Sequence, residues 1–229
     1  MWHTLNEVRR GGVQMATAAP GLRERKKRRT RIALIDAALD LFLAHGYEAT
    51  TIDQIVAAVE VSQRTFFRYF SNKEEVALSV PIEVEQNFLR AVRERPVHEA
   101  PFDVLVGAVR GAMRSIEGEG PEERERFLKS HELIERTPVL LAGNVRRSME
   151  TEKLIVAEIA RRRGLDPAAD RRPHMIVSLF MGVLRGTVDF CFGPDAHLGG
   201  PPTLQSLATA LEEGIAFARA SLRPGWDRI

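Results

Sequence analysis

Only Glu60 and Val61 separate a helical segment that opens at Thr51 from Ser62, where another opens. This is the tightest constraint in the chain, because two helices joined by so short a turn must cross rather than continue. Each opens on a hydroxyl side chain suited to capping free backbone N–H groups. Thr51 is followed three residues on by Gln54, the spacing of a capping box, and then by Ile55, Val56, Ala58 and Val59. Ser62 leads a short segment from Gln63 to Phe70, which Ser71 and Asn72 break.

The flanking segments are also helical. Ile32, Ile35, Leu39 and Phe42 form one stripe of a 3.6-residue period, which stops at His45-Gly46. A fourth helix is expected from Lys73 to Arg95, with Val76, Val80, Val84 and Phe88 on one face and a kink at Pro81. Glycine and proline then divide the chain into helices at 102–117, 122–136, 138–163, 170–192 and 203–222. No segment alternates like a strand and none repeats. The expected class is all-α, with about nine helices, behind a flexible tail over 1–22.

Composition narrows the functions. With 44% hydrophobic and 28% charged residues, the chain is too apolar for global disorder. The single cysteine, Cys191, excludes an internal disulfide framework. Residues 21–31 hold seven basic side chains and one acid, so a net charge of only +2 leaves the remainder acidic. A basic arm on an acidic body points to a polyanion touched at one end. The first twenty residues lack the apolar run of an export signal, and the most apolar stretch, Met175 to Phe192, contains Arg185 and Asp189. A cytoplasmic protein with no membrane partner is expected.

Crossed helices with a capped second member suit DNA. Side chains at the start of the second helix can enter the major groove while the first crosses the backbone. Arginine pairs with guanine, glutamine with adenine, and a threonine methyl meets that of thymine. Helix starts favour phosphates, which suits Thr51 and Lys73. On spacing alone a plain helical hairpin stays open. An enzyme would need Cys191 with a base, or a cluster of His131, His174 and Asp189, but His197 falls in a Gly/Pro loop and no P-loop or dinucleotide fingerprint is present. Cys191 reads as a buried core residue.

The longer string from Arg23 to Leu78 resembles the N-terminal domain of the tetracycline-repressor (TetR) family. The resemblance rests on Phe42, Gly46-Tyr47, Ala49 to Ile52, Val61-Ser62, Thr65 to Phe70 and Asn72-Lys73-Glu74. Glu60 departs from it, standing where the family commonly has glycine. The resemblance implies a helix-turn-helix domain over 23–75 and a ligand-binding and dimerisation domain over 76–229. It implies a transcriptional regulator, by family default a repressor, with three partners: double-stranded operator DNA, a small, largely apolar effector, and a second copy of the chain. No cofactor or metal is expected. Carried over by position, Gln63, Arg64 and Thr65 face bases, Thr51, Tyr69 and Lys73 bind phosphates, and Arg68 joins them. The arm, Arg25, Lys26, Lys27, Arg28 and Arg29, is expected on the DNA backbone or in the minor groove. Phe66, Phe67 and Phe70 are expected in the core. Phe88, Phe102, Leu105, Val109, Phe127, His131, Phe180 and Leu184 are the candidates to line an effector cavity. The last two helices are expected at the dimer interface, with Leu204, Leu207, Leu211, Ile215, Ala218 and Leu222 as the stripe of the final one.

Overall fold

The computed structural model describes residues 21–193, 200–221 and 225–226; residues 1–20 of the expected tail over 1–22, and with them His197 and Leu222, lie outside them, while Leu22 opens the first helix rather than ending a tail. Every regular element among the described residues is a helix, in the order α1 (Leu22–His45), α2 (Ile52–Ala58), α3 (Gln63–Phe67), α4 (Lys73–Ala77), α5 (Ser79–Glu94), α6 (Pro101–Gly118), α7 (Pro121–Arg136), α8 (Pro138–Arg163), α9 (Arg172–Phe192) and α10 (Leu204–Ser221). Prolines start α6, α7, α8 and α9 within their first two positions, where an N–H would have no partner in the helix. Gly164 ends α8 in the left-handed conformation, with φ at 66°.

The ten helices exceed the expected nine because the chain breaks at Leu78 rather than kinking at Pro81. In a continuous helix Pro81 would have no N–H for the Ala77 carbonyl, and its ring would press on that carbonyl. The break therefore falls a turn upstream, leaving Pro81 in the first turn of α5, where a missing donor costs little. Leu78 still donates to Glu74 and accepts from Ile82, so the hinge remains hydrogen-bonded across both sides.

Around α1 to α4 a core forms from Leu34, Ala38, Phe42, Ile55, Phe66 and Val76, all 1% exposed or less. Leu133 and Ile134 of α7 and Leu140 of α8 belong to the same cluster. The head and the body thus share apolar packing rather than meeting only through a linker. A second core joins α5, α6, α8, α9 and α10, where the Phe88 and Phe180 rings stack at 5.9 Å and Phe102 meets Phe180 edge-on. Arg162 of α8 closes the end of α5 by donating to the carbonyl oxygens of Arg95 and Pro96.

The helix α9 is long and apolar enough to cross a membrane by length and composition. It instead buries Ile176, Val177, Phe180, Thr187 and Cys191 against its neighbours. It approaches α10 closely at Gly214, where a Cβ would stand 3.1 Å from a Val183 methyl. Leu207, Leu211, Ile215 and Ala218 of α10 turn inward, to their own subunit's core. These four members of the expected stripe are therefore covered within the chain. The opposite face is apolar as well, with Phe190 60% and Phe217 74% exposed.

Candidate nucleic-acid interface

The hydroxyl of Thr51 accepts from the Gln54 N–H while the Gln54 side chain accepts from the Thr51 N–H at 2.8 Å, completing the capping box. Ser62 caps α3 by accepting from the Thr65 N–H at 3.2 Å, and Asn72 caps α4 through Glu75. These caps fix where each short helix begins, and so which residues open α3. Between α2 and α3, Glu60 takes φ 55°, the one left-handed residue other than glycine among the described residues. The turn keeps a conformation that favours glycine although a Cβ is present.

Buried Phe66 orients α3. With that side chain inward, Gln63 and Arg64 stand on the exposed face and Thr65 is half-buried. Arg64 has no hydrogen bond or ion pair within the described chain. Gln63 is engaged, donating from Nε2 to the Asp53 carboxylate of α2, so it must exchange that partner to reach a base. Phe70 is 3% exposed, as expected of a core residue, but Phe67 is 52% exposed. The reason is direction: adjacent residues on a helix point about 100° apart, so in the five-residue α3 Phe67 cannot share the inward direction of Phe66.

The phosphate candidates differ in their freedom. Thr51 is exposed but occupied as a cap. The Arg68 guanidinium lies 5.0 Å over the Tyr69 ring and donates to its hydroxyl at 3.3 Å, so the two side chains form one unit, Arg68 exposed and Tyr69 half-buried. Lys73 donates from Nζ to the Tyr47 carbonyl at 2.9 Å and sits 4.3 Å from the centre of the Tyr47 ring. It ties α4 to the α1–α2 turn before any phosphate arrives. Burial, with Glu74 and Glu48 nearby, pushes the Tyr47 phenol up to about 12, so the ring stays neutral under the ammonium.

The basic arm is helical. Arg25, Lys26, Lys27, Arg28 and Arg29 occupy the exposed first turns of α1, ahead of the first buried residue, Leu34. Continuing the helix directs these cations as a rigid extension. Arg31 marks the transition, with its guanidinium 5.5 Å from the centre of the Phe70 ring and 3.5 Å from Glu83 of α5.

The effector candidates are only partly assembled around open space. Phe88, Phe102, Leu105, Val109 and Phe180 pack into the second core, with Leu184 against its edge. Phe180 there meets both Phe88 and Phe102 ring to ring. Phe127 and His131 lie elsewhere, on α7, where the His131 ring stands 4.3 Å from Phe127 and 5.4 Å from Phe192. This apolar setting pushes the His131 pKa down, against a hydrogen bond to the Phe127 carbonyl that favours the charged form. Among the described residues, no three His, Cys, Asp or Glu side chains could hold a metal ion.

Sequence reasoning missed the contacts between α1 and α7. Arg126, 10% exposed at its side chain, grips Asp36 with Nε–Oδ1 at 2.5 Å and Nη2–Oδ2 at 3.0 Å, while Lys129 reaches Asp40 at 2.6 Å. The Asp36 hydrogen bonds hold the Arg126 guanidinium above its ordinary pKa. The carboxylates lie one turn apart on α1, which was legible, but their partners lie 90 and 89 residues away.

Comparison with known proteins agrees with this geometry. Residues 34–80 match the family described as bacterial regulatory proteins, tetR family, and residues 103–216 match the MftR C-terminal domain. The chain is 43% identical over 212 residues to the HTH-type transcriptional regulator TcmR of Streptomyces glaucescens, covering 91% of each. It is 26% identical over 162 residues to the regulator MftR of Mycobacterium tuberculosis, covering 69% of this chain and 78% of that one. SmeT, the repressor of the Stenotrophomonas maltophilia multidrug efflux pump SmeDEF, shares the fold at TM-score 0.54 and 18% identity, over 83% of this chain and 91% of its own.

Proposed function

The chain belongs to the tetR family of bacterial regulatory proteins, and from that premise we propose a cytoplasmic repressor that leaves a palindromic operator when a small molecule binds its body. The family is one of transcriptional regulators, and DNA binding comes with it. The observation that carries the finer reading is the exposed, capped start of α3, with Arg64 making no ion pair or hydrogen bond among the described residues, in a head whose α1 also carries a row of exposed cations. Arg64, Gln63 and Thr65 read base edges. Thr51, Arg68, Tyr69 and Lys73 hold phosphates, and Arg25 to Arg29 follow the backbone electrostatically. Division of labour follows at 23–75 for DNA and 76–229 for effector and partner.

A second copy of the chain covers the outer face of α9 and α10. That face holds a groove of about 720 Å³ lined by Gly182, Gly186, Gly214, Phe190 and Phe217. Small residues let facing helices approach while the phenylalanines supply apolar area. Two-fold pairing places two copies of α3 on one side of the duplex.

The test is an electrophoretic shift with the DNA upstream of the protein's own gene. The full chain binds it, and Arg64→Ala loses preference among operator variants while Lys73→Ala weakens all of them alike. Absence of binding at low salt would overturn the reading.

A further inference from the structure

Between α1, α5, α6 and α7 runs a cleft of about 480 Å³, within the range of small-molecule sites (~300–1,000 Å³). It lies at the junction of head and body, outside the second core. Ile32 and Ile35 of α1, Val84 of α5, Ala112 and Ile116 of α6 and Phe127 of α7 supply its apolar lining. Four arginines and four glutamates complete the wall. Arg31 pairs with Glu83, and Arg126 with Glu123 and Asp36. Arg28, Arg90, Glu94 and Glu119 form no ion pair among the described residues, so the open cations and anions balance.

We propose that this cleft is the effector site, and that it takes a neutral molecule with an apolar middle and hydrogen-bonding groups at its edge. The proposal rests on the reading above that the chain answers to a small effector, and it names the place and the ligand class. The balanced rim disfavours a net charge, since either sign would face like charges as well as opposite ones. The apolar lining favours transfer of carbon surface out of water. Polar groups at the ligand's edge can reach Arg90 or Glu119 without leaving the rim.

Position gives the site its leverage. Its walls include α1, which carries the DNA-facing cations, and Arg126, which fastens α1 to α7 through Asp36. An occupant that prefers α1 further from α7 works against this bidentate pair and against Lys129–Asp40. Head orientation then follows occupancy directly, without passing through the packed core of α5, α6, α8 and α9.

The experiment uses the full chain and two fluorescent probes, neutral N-phenyl-1-naphthylamine and its sulfonated relative 8-anilinonaphthalene-1-sulfonate. Ser115 and Asn87 are exposed residues on the cleft's edge, so Ser115→Trp and Asn87→Trp obstruct it without entering the core. Thermal melts matching wild type separate obstruction from misfolding, and Ser115→Ala and Asn87→Ala keep the cleft open. The neutral probe binds the wild type at one site per chain, and both tryptophan variants weaken it roughly tenfold, as overfilling a packed site does. The alanine variants leave it unchanged, and the sulfonated probe binds more weakly. Wild-type affinity in both tryptophan variants, no binding by the wild type, or tighter binding of the sulfonate at this site would overturn the proposal. Binding of the upstream DNA is measured without probe, so its loss would count against the regulator and not against the cleft.

Discussion

Replacing Glu60 by glycine is expected to stabilise the protein while leaving its DNA-reading surface intact. Glu60 is exposed, makes no ion pair among the described residues and holds φ at 55°. Its substitution therefore isolates the backbone. The left-handed conformation costs a residue with a Cβ about 1–2 kcal/mol. Glycine removes that strain but loses about 0.5–1 kcal/mol through its freer unfolded backbone. The difference leaves Glu60→Gly more stable by about 0.5–1 kcal/mol, or a rise of about 1–4 °C in melting temperature for a chain of this size. Glu60→Val moves the other way, because a branched Cβ is worse at positive φ. Urea denaturation followed by circular dichroism ranks the three, with glycine above glutamate above valine. A glycine variant less stable than the parent would refute the reasoning, since it would mean that Glu60 contributes a contact outweighing its backbone strain.

Phe217→Asp and Gly186→Arg place charge on the outer α9–α10 face and should yield monomers by sedimentation; variants that stay dimeric would move the interface elsewhere. For His131, burial lowers the folded pKa below that of the unfolded chain, so the unfolded state binds the proton first. The neutral form's stability is therefore full above about 6.5 and is lost as pH falls from there toward the folded pKa. His131→Gln should flatten that part of the stability profile, and an unaltered slope would count against the burial argument. Pro81→Ala restores a donor for the Ala77 carbonyl and should join α4 to α5 across Leu78. Operator affinity with and without effector measures the result: the ratio changes more than the affinity of the free protein, or the hinge carries no coupling.

Local chemistry made the head legible. Thr51 with Gln54, and Ser62 before an apolar residue pattern, announce the starts of α2 and α3 without any long-range knowledge, because capping is satisfied within four residues. The same locality explains the misplacements. Pro81 announces a break, but the carbonyl it displaces lies a turn earlier, at Ala77. Phe67 follows the composition of a core segment, yet it points about 100° around α3 from the inward Phe66. Leu211 shows an apolar face of α10 but cannot say whether its own α9 or a second subunit covers it. Phe88, Phe102 and Phe180 reveal apolarity alone; whether they surround a space depends on how closely three helices meet. Pairing of Arg126 with Asp36 is likewise a property of the assembled chain.

The most direct test of the central claim is selection of binding sites for the full chain from random double-stranded DNA, in parallel for wild type and Arg64→Ala. The account predicts a pseudo-palindrome whose half-sites lie about 34–36 Å apart or a multiple of one turn. It also predicts that Arg64→Ala relaxes the same one or two base pairs in both halves, at a cost of about 1–3 kcal/mol on the preferred sequence. A selected pool without symmetry, or an Arg64→Ala pool identical to that of the wild type, would contradict it.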